Sequence, residues 1–223
     1  MDLQKAINLT GGELNYKPNQ DAERFFSSPC KFVIGANDYS LFPKENIPEF
    51  AFIGRSNVGK SSLLNALVKH KGLARVSVTP GRTQQVNFFQ LDDKKTLSIM
   101  LVDLPGYGFA KAPKNLVKAW ERMSLGYLKN SVNLKRLFLL IDSRHGFKVI
   151  DLEFMEQLDK FAIPYQIVLT KLDKTNKLEL EKIIQFAKEH IVKHPAMFPD
   201  IVLSSSKAGH GILDLRNYIL NCC

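Results

Sequence analysis

Eight consecutive residues, Gly54-Arg55-Ser56-Asn57-Val58-Gly59-Lys60-Ser61, match the pattern G-x-x-x-x-G-K-S/T in full. The chemistry such a run can do is to hold a phosphate. Glycines let the backbone wrap closely around an anion, and the N–H groups of the loop and of the helix start then face its oxygens. Lys60 stands where an ammonium reaches β- and γ-phosphates, and Ser61 offers a hydroxyl to Mg²⁺. A chance glycine-rich turn would not carry that lysine and serine at fixed spacing between an apolar run and an amphipathic one.

Asp103-Leu104-Pro105-Gly106 closes a second apolar run. A carboxylate there can serve a nucleotide-bound Mg²⁺ through water, and the Gly106 N–H can contact a γ-phosphate. Thr170-Lys171-Leu172-Asp173 follows a third apolar run and fits N/T-K-x-D. Its Asp can accept from guanine N1–H and the 2-amino group, with the Lys171 stem covering the base. Adenine lacks both donors and would leave the carboxylate unpaired, which is costly. Ser204-Ser205-Ser206-Lys207 comes after a fourth apolar run, where backbone N–H groups can meet guanine O6. Pro80-Gly81-Arg82-Thr83-Gln84 lies between the first two motifs. A threonine here can complete Mg²⁺ coordination and release it after hydrolysis, and Thr79 and Thr83 both qualify.

These motifs need strands and helices to carry them. Apolar runs predict strands at 49–53, 86–91, 96–103, 136–142, 165–170 and 201–204, with Asp92-Asp93 at the turn between the second and third. Amphipathic spacing predicts helices at 60–69, 114–129, 150–161, 177–192 and 211–220. In the second of these, Leu116, Trp120, Met123 and Tyr127 recur at helical spacing and read as core. Continuous apolar strands separated by helices mean a mainly parallel sheet covered on both faces. The expected fold is α/β and three-layered, with a six-stranded, mainly parallel sheet, and with the motifs above it resembles a Ras-like P-loop GTPase domain. Residues 1–45 mix Pro, Gly, Asn and Ser around Lys31-Phe32-Val33-Ile34. They read as an N-terminal extension packed on or near a domain spanning 46–223.

Of the 223 residues, 45% are hydrophobic and 24% charged, ordinary proportions for a globular chain with a sizeable core. The net charge of +9 favours a polyanionic partner. Lys111, Lys114, Lys118 and Arg122 follow the second motif, Arg82 lies before it, and Lys69, His70 and Lys71 end the first helix. They are candidates for a phosphate backbone; the competing reading is solvated helix faces. Three cysteines, Cys30, Cys222 and Cys223, form no CxxC pair, which argues against a zinc ribbon or a thioredoxin site and fits a reducing cytosol. The start lacks an apolar leader and no run approaches the ~20 residues of a membrane span, so a cytoplasmic protein without stable membrane association is expected.

The ordered set of segments resembles the translation-factor-related P-loop GTPases, and more narrowly the bacterial EngB (YihA or YsxC) family. The carriers are GRSNVGKSSLLNAL from Gly54, TPGRTQQVNFF from Thr79, LVDLPGYGFAK from Leu101, TKLDK from Thr170 and LSSSKAGHGI from Leu203. The resemblance implies a Mg²⁺-dependent, cytosolic, monomeric GTPase. It also implies a role in large-subunit ribosome assembly through nucleotide-dependent contact with rRNA, its loss disturbing cell division and septation. It selects Thr83 over Thr79 on the metal, beside Ser61 and with Asp103 acting through water. Nucleotide contacts are then expected along the loop from Gly54 through Ser62, with Gly81, Arg82, Thr83, Gln84 and Gln85 in the first switch. Asp103, Leu104, Pro105 and Gly106 follow, then Thr170, Lys171, Leu172 and Asp173, then Leu203, Ser204 and Ser205. Lys60, Thr83 and Gly106 would carry catalysis.

In Ras-like proteins a glutamine after D-x-x-G orients the attacking water, whereas this chain has Tyr107. Slow intrinsic hydrolysis is therefore expected. Related bacterial GTPases use an asparagine at the Asn57 position to hold K⁺, and the competing reading is that Asn57 only shapes the loop; equal turnover in KCl and NaCl would remove the K⁺ role. Arg55 and Arg82 can supply charge, or be solvated. The terminal Cys222-Cys223 pair suggests a prenylated switch, but DLPGY and TKLD are not the motifs of that class. Asp173 opposes an ATPase. The remaining alternative is a nucleotide-gated RNA-binding module without significant hydrolysis.

Overall fold

Along β3 (Glu49–Gly54) every residue is buried, and alternate side chains enter opposite cores. Phe50 and Phe52 point to one side, Ala51 and Ile53 to the other. A strand buried on both faces must lie in the middle of a covered sheet, and that is where it lies. In this computed structural model residues 6–70, 72–74, 85–94, 97–108 and 114–223 are described, with 114–121 described by backbone only. Lys71, Thr79, Gly81, Arg82, Thr83, Gln84 and Lys111 fall outside these residues, as do the side chains of Lys114, Leu116, Lys118 and Trp120.

The remaining strands are β1 (Ala6–Asn8), β2 (Cys30–Ala36), β4 (Val86–Asp92), β5 (Ser98–Asp103), β6 (Leu134–Asp142), β7 (Tyr165–Thr170) and β8 (Asp200–Leu203). They form one sheet in the order β1-β8-β7-β6-β3-β5-β4-β2. The run β8-β7-β6-β3-β5 is parallel, and the other pairings are antiparallel. The sheet thus has eight strands, not the expected six. The two additions come from the first 45 residues and take the two edges. β1 is three residues long, too short for a period to show. β2 is open on its outer side, so its alternation is weak, and a register shift between Phe32 and Ile34 breaks it further. Both depend on a partner strand far along the chain, which local pattern does not reveal.

One face is covered by α3 (Lys114–Asn130), α4 (Val149–Lys160) and α5 (Lys177–Ile191), through residues such as Tyr127, Phe154, Leu158 and Leu180. The other carries α1 (Ala22–Phe25), α2 (Lys60–Leu67) and α6 (Ile212–Leu220), through Phe25, Leu63, Leu64, Leu215 and Tyr218. Each large side chain so buried is worth about 1.5–3 kcal/mol. α5 begins at a capping box, with Glu179 N–H donating to Asn176 Oδ1 at 2.9 Å and Asn176 N–H to Glu179 Oε2 at 3.3 Å.

The N-terminal residues are tied to the body by specific bonds. Tyr16 Oη donates to Asp214 Oδ1 at 2.7 Å, and Asn15 Nδ2 to Asp200 Oδ1 at 2.9 Å. Tyr39 Oη donates to the Arg122 carbonyl of α3 at 2.8 Å, and Gly126 supplies the room, since a Cβ there would collide with the Tyr39 hydroxyl. No described helix is long and apolar enough to cross a membrane.

Candidate nucleotide site

Parallel strands deliver their carboxyl ends to one edge of a sheet, where loops and helix N-termini can receive an anion. Five ends meet there: Gly54 of β3, Asp103 of β5, Asp142 of β6, Thr170 of β7 and Leu203 of β8. Four of the sequence-predicted segments follow four of those ends. The fifth end, Asp142, carries no sequence assignment.

The phosphate loop runs from Gly54 into α2. Asn57 has φ +63° and Gly59 φ +106°, a left-handed pair that curls the backbone ahead of the helix. Val58 is buried and anchors the loop, its N–H donating to Arg55 O at 3.1 Å. Thr170 Oγ1 donates to Val58 O at 2.7 Å, binding the end of β7 to the loop. Lys171, itself at φ +59°, donates from Nζ to Asn57 O. Ser56 Oγ is buried with no hydrogen-bond partner, an orphaned hydroxyl inside an anion cradle. That orphan and the curl of the loop fit a phosphate group.

Lys60 Nζ donates to Asp103 Oδ1 beside the loop. Burial pushes the Lys60 ammonium down to about 7, because a buried cation loses its hydration. The Asp103 carboxylate opposes that by favouring the charged form, and phosphate oxygens would do the same. Ser61 and Ser62 lie in the first turn of α2, half-buried and exposed respectively. Hydroxyl and carboxylate oxygens beside phosphate suit Mg²⁺, which is held by few protein ligands and keeps substrate oxygens and waters. Among the described residues no cluster of three or more His, Cys, Asp or Glu could hold a metal alone.

Leu104 N–H donates to Phe52 O at 3.0 Å and Tyr107 N–H to Gly54 O at 3.3 Å, so the Asp103-to-Gly106 turn rides along β3 into the loop. A Cβ on Gly106 would stand 2.8 Å from Gly54 O, which only glycine avoids. Pro105 lies in the same turn. Gln85, the described residue of the first switch set, is exposed.

At the base loop Leu172 is buried and Asp173 exposed. Ser205 Oγ donates to Asp173 Oδ1 at 2.6 Å, and Leu172 N–H donates to Ser204 O at 3.0 Å. The N–H groups of Ser204 and Ser205 donate to Leu169 O at 2.7 Å and His210 O at 3.0 Å. Both are therefore engaged within the fold, and Ser206 and Lys207 come next in the loop.

Three features escaped sequence reading. Lys171 Nζ also lies 2.9 Å from Asp142 Oδ2, and Arg144 Nη2 lies 2.7 Å from the same oxygen. Burial alone would raise the Asp142 pKa, but hydrogen bonds from Arg144 and Lys171 outweigh it and hold the carboxyl well below the usual range. Its position at an apolar strand's end, as for Asp103, was the available signal. Arg55 is not a solvated group: Nε lies 3.2 Å from Asp151 Oδ1, and Nη2 donates to Gly146 O at 3.0 Å. Tyr107 Oη donates to Asp151 Oδ1 at 2.8 Å, turning the phenol into the core. Lys69, read as a backbone-contact candidate, lies 3.6 Å from Glu23 of α1.

A phosphate loop and an Asp-bearing base loop on one carboxyl edge is the arrangement of the GTP-binding P-loop class, and this chain is a GTPase. The family profile described as "50S ribosome-binding GTPase" matches residues 49–171. A probable GTP-binding protein EngB from Bartonella quintana is 50% identical over 200 residues, covering 87% of this chain and 93% of the relative. Its counterpart from Caulobacter vibrioides is 46% identical over 202 residues, 91% of this chain and 86% of the relative. The chain belongs to the EngB family of GTP-binding proteins. Among solved structures, a probable GTP-binding protein EngB aligns with TM-score 0.59 at 26% identity, over 78% of this chain and 97% of that one. Aquifex aeolicus Era bound to GDP·AlF4⁻ aligns with TM-score 0.64 at 25% identity, over 79% of this chain and 56% of that one.

Proposed function

We propose that this protein is a GTP-dependent switch acting in assembly of the large ribosomal subunit, through which it supports normal cell division and septation. The observation that carries the reading is the match to 50S ribosome-binding GTPases over residues 49–171, which hold the phosphate loop, the Asp103 turn and the start of the base loop. The net charge of +9 suits a ribosomal RNA partner. The protein acts as a cytoplasmic monomer, with 46–223 as its GTPase domain and 1–45 as an extension of it.

In this reading Lys60 and the loop N–H groups hold the β- and γ-phosphates. Ser61 and Thr83 would hold Mg²⁺, with Asp103 acting through water. Bound Mg²⁺ would neutralise charge developing on the phosphate oxygens. Gly106 N–H meets the γ-phosphate, and Asp173 accepts from guanine. Hydrolysis is slow because the residue after Gly106 offers no water-orienting group to the phosphate: the Tyr107 hydroxyl is bonded to Asp151 instead. Asn57, exposed at the loop, is the candidate K⁺ ligand.

Sedimentation of the purified protein with large ribosomal subunits, in Mg²⁺, tests the reading. Co-sedimentation with a non-hydrolysable GTP analogue and little with GDP is expected. Equal binding in both states, or none, would remove the ribosome as the partner and leave the GTP site standing.

A further inference from the structure

One carboxylate serves three segments that are far apart in the chain. Asp151, fully buried in the first turn of α4, accepts from Tyr107 Oη at 2.8 Å, and the same Oδ1 lies 3.2 Å from Arg55 Nε. Its Oδ2 takes the Lys148 N–H at 2.7 Å, which caps the helix. Arg55 belongs to the phosphate loop. Tyr107 directly follows Gly106 and is pinned at three points: its N–H on Gly54 O, its ring stacked on Phe154 at 4.8 Å, and its hydroxyl on Asp151. Burial first, and then the Asp151 carboxylate, push the phenol well above its ordinary pKa of 10, so it stays a donor. α4 is a firm anchor, since Phe154, Met155 and Leu158 are buried against the sheet.

We propose that Asp151 is a positioning residue for γ-phosphate recognition: by holding Tyr107 and Arg55 together it fixes the Gly106 peptide against the phosphate loop. The N–H that must find a γ-phosphate oxygen is one residue from an immobilised side chain. A hydrogen bond weakens steeply with misalignment, so loss of the anchor falls on the nucleotide that has a γ-phosphate. GDP has no such oxygen and is held by the loop, Lys60 and the base site. Neither Asp151 nor Tyr107 needs to touch nucleotide for this effect. The inference rests on reading Gly106 as the γ-phosphate contact.

The test is the affinity of the full chain for a non-hydrolysable GTP analogue and for GDP, in Mg²⁺, by calorimetry. The chains compared are wild type, Tyr107→Phe, Asp151→Asn, their double variant and Gly106→Ala. Each single change at 107 or 151 should lower the analogue-to-GDP affinity ratio about tenfold with GDP affinity held within about twofold. The double variant should be no worse than the more affected single, because both act through one contact. A merely structural role would weaken both nucleotides alike, and that result overturns the proposal. If Asp151→Asn does not fold, Tyr107→Phe, which keeps the stacked ring, decides alone. A ratio lowered by Gly106→Ala but unmoved by Tyr107→Phe overturns the anchor and leaves Gly106 as the sensor. A ratio unmoved by both overturns the two readings together.

Discussion

Asp173 stands exposed at the base loop, yet one of its oxygens already accepts from Ser205 Oγ at 2.6 Å. The hydroxyl belongs to the loop after β8, so the carboxylate is aimed by a neighbour strand before any base arrives. Ser205 Oγ also accepts from Ala208 N–H at 3.1 Å, which fixes the hydroxyl itself. Removing it frees the Asp173 side chain and costs about 1 kcal/mol of binding, near a fivefold loss. Ser205→Ala should therefore weaken GTP and GDP equally, since both carry guanine. Calorimetry that finds unchanged affinity, or a loss confined to GTP, would show that the hydroxyl does not orient the base site.

At the scale of an element, the carboxyl end of β6 is the least obvious part of the edge. Asp142 shares one carboxylate between Arg144 and Lys171, and so ties β6 to the base loop of β7 and, through Lys171, to Asn57 of the phosphate loop. Its side chain is only 7% exposed, though Arg144 and Lys171 reach solvent, so those charge-assisted bonds are screened less than surface pairs are. Asp142→Asn should cost about 2 kcal/mol of stability at neutral pH. The folded-state pKa lies below the unfolded value near 4, so this contribution is full above about pH 4 and is lost as the pH falls toward the folded value. Thermal unfolding should show the wild-type advantage at pH 7 and its narrowing below about pH 4. An advantage constant down to pH 3 would mean that the charge on Asp142 is not what stabilises this end of the strand.

At the scale of the whole molecule, the N-terminal residues close both sides of the sheet. β1 pairs with β8 and β2 with β4, so neither interior strand is left with an open edge. At the start of β8, beside β1, the fully buried Asp200 accepts from Asn15 N–H, Asn15 Nδ2 and Tyr218 Oη. Deleting residues 1–20 would leave it with Tyr218 from that set. Two hydrogen bonds to a buried carboxylate, plus Ala6 and Leu9 from the core, are lost together. The melting temperature should drop by about 10 °C, at roughly 2–4 °C per kcal/mol for a chain of this size. An unchanged melting temperature would show that the segment only lies against the body.

The runs Gly54–Ser61, Asp103–Gly106 and Thr170–Asp173 stand out in the sequence because each is contiguous, and the sheet sets all three on one carboxyl edge. The central strands were readable because burial on both faces leaves an uninterrupted apolar run, and five of the helices because one apolar face repeats each turn. By itself, then, the sequence determined the class of ligand and the layered α/β architecture. Tertiary structure decided what aims those parts. Tyr107 and Asp151 are 44 positions apart, Ser205 and Asp173 32, and Asn15 and Asp200 185. Those contacts exist only once strand order brings separate loops to one edge, and no local period encodes strand order. The same holds for β1 and β2, whose weak patterns become strands because β8 and β4 offer unpaired backbone groups that must be satisfied.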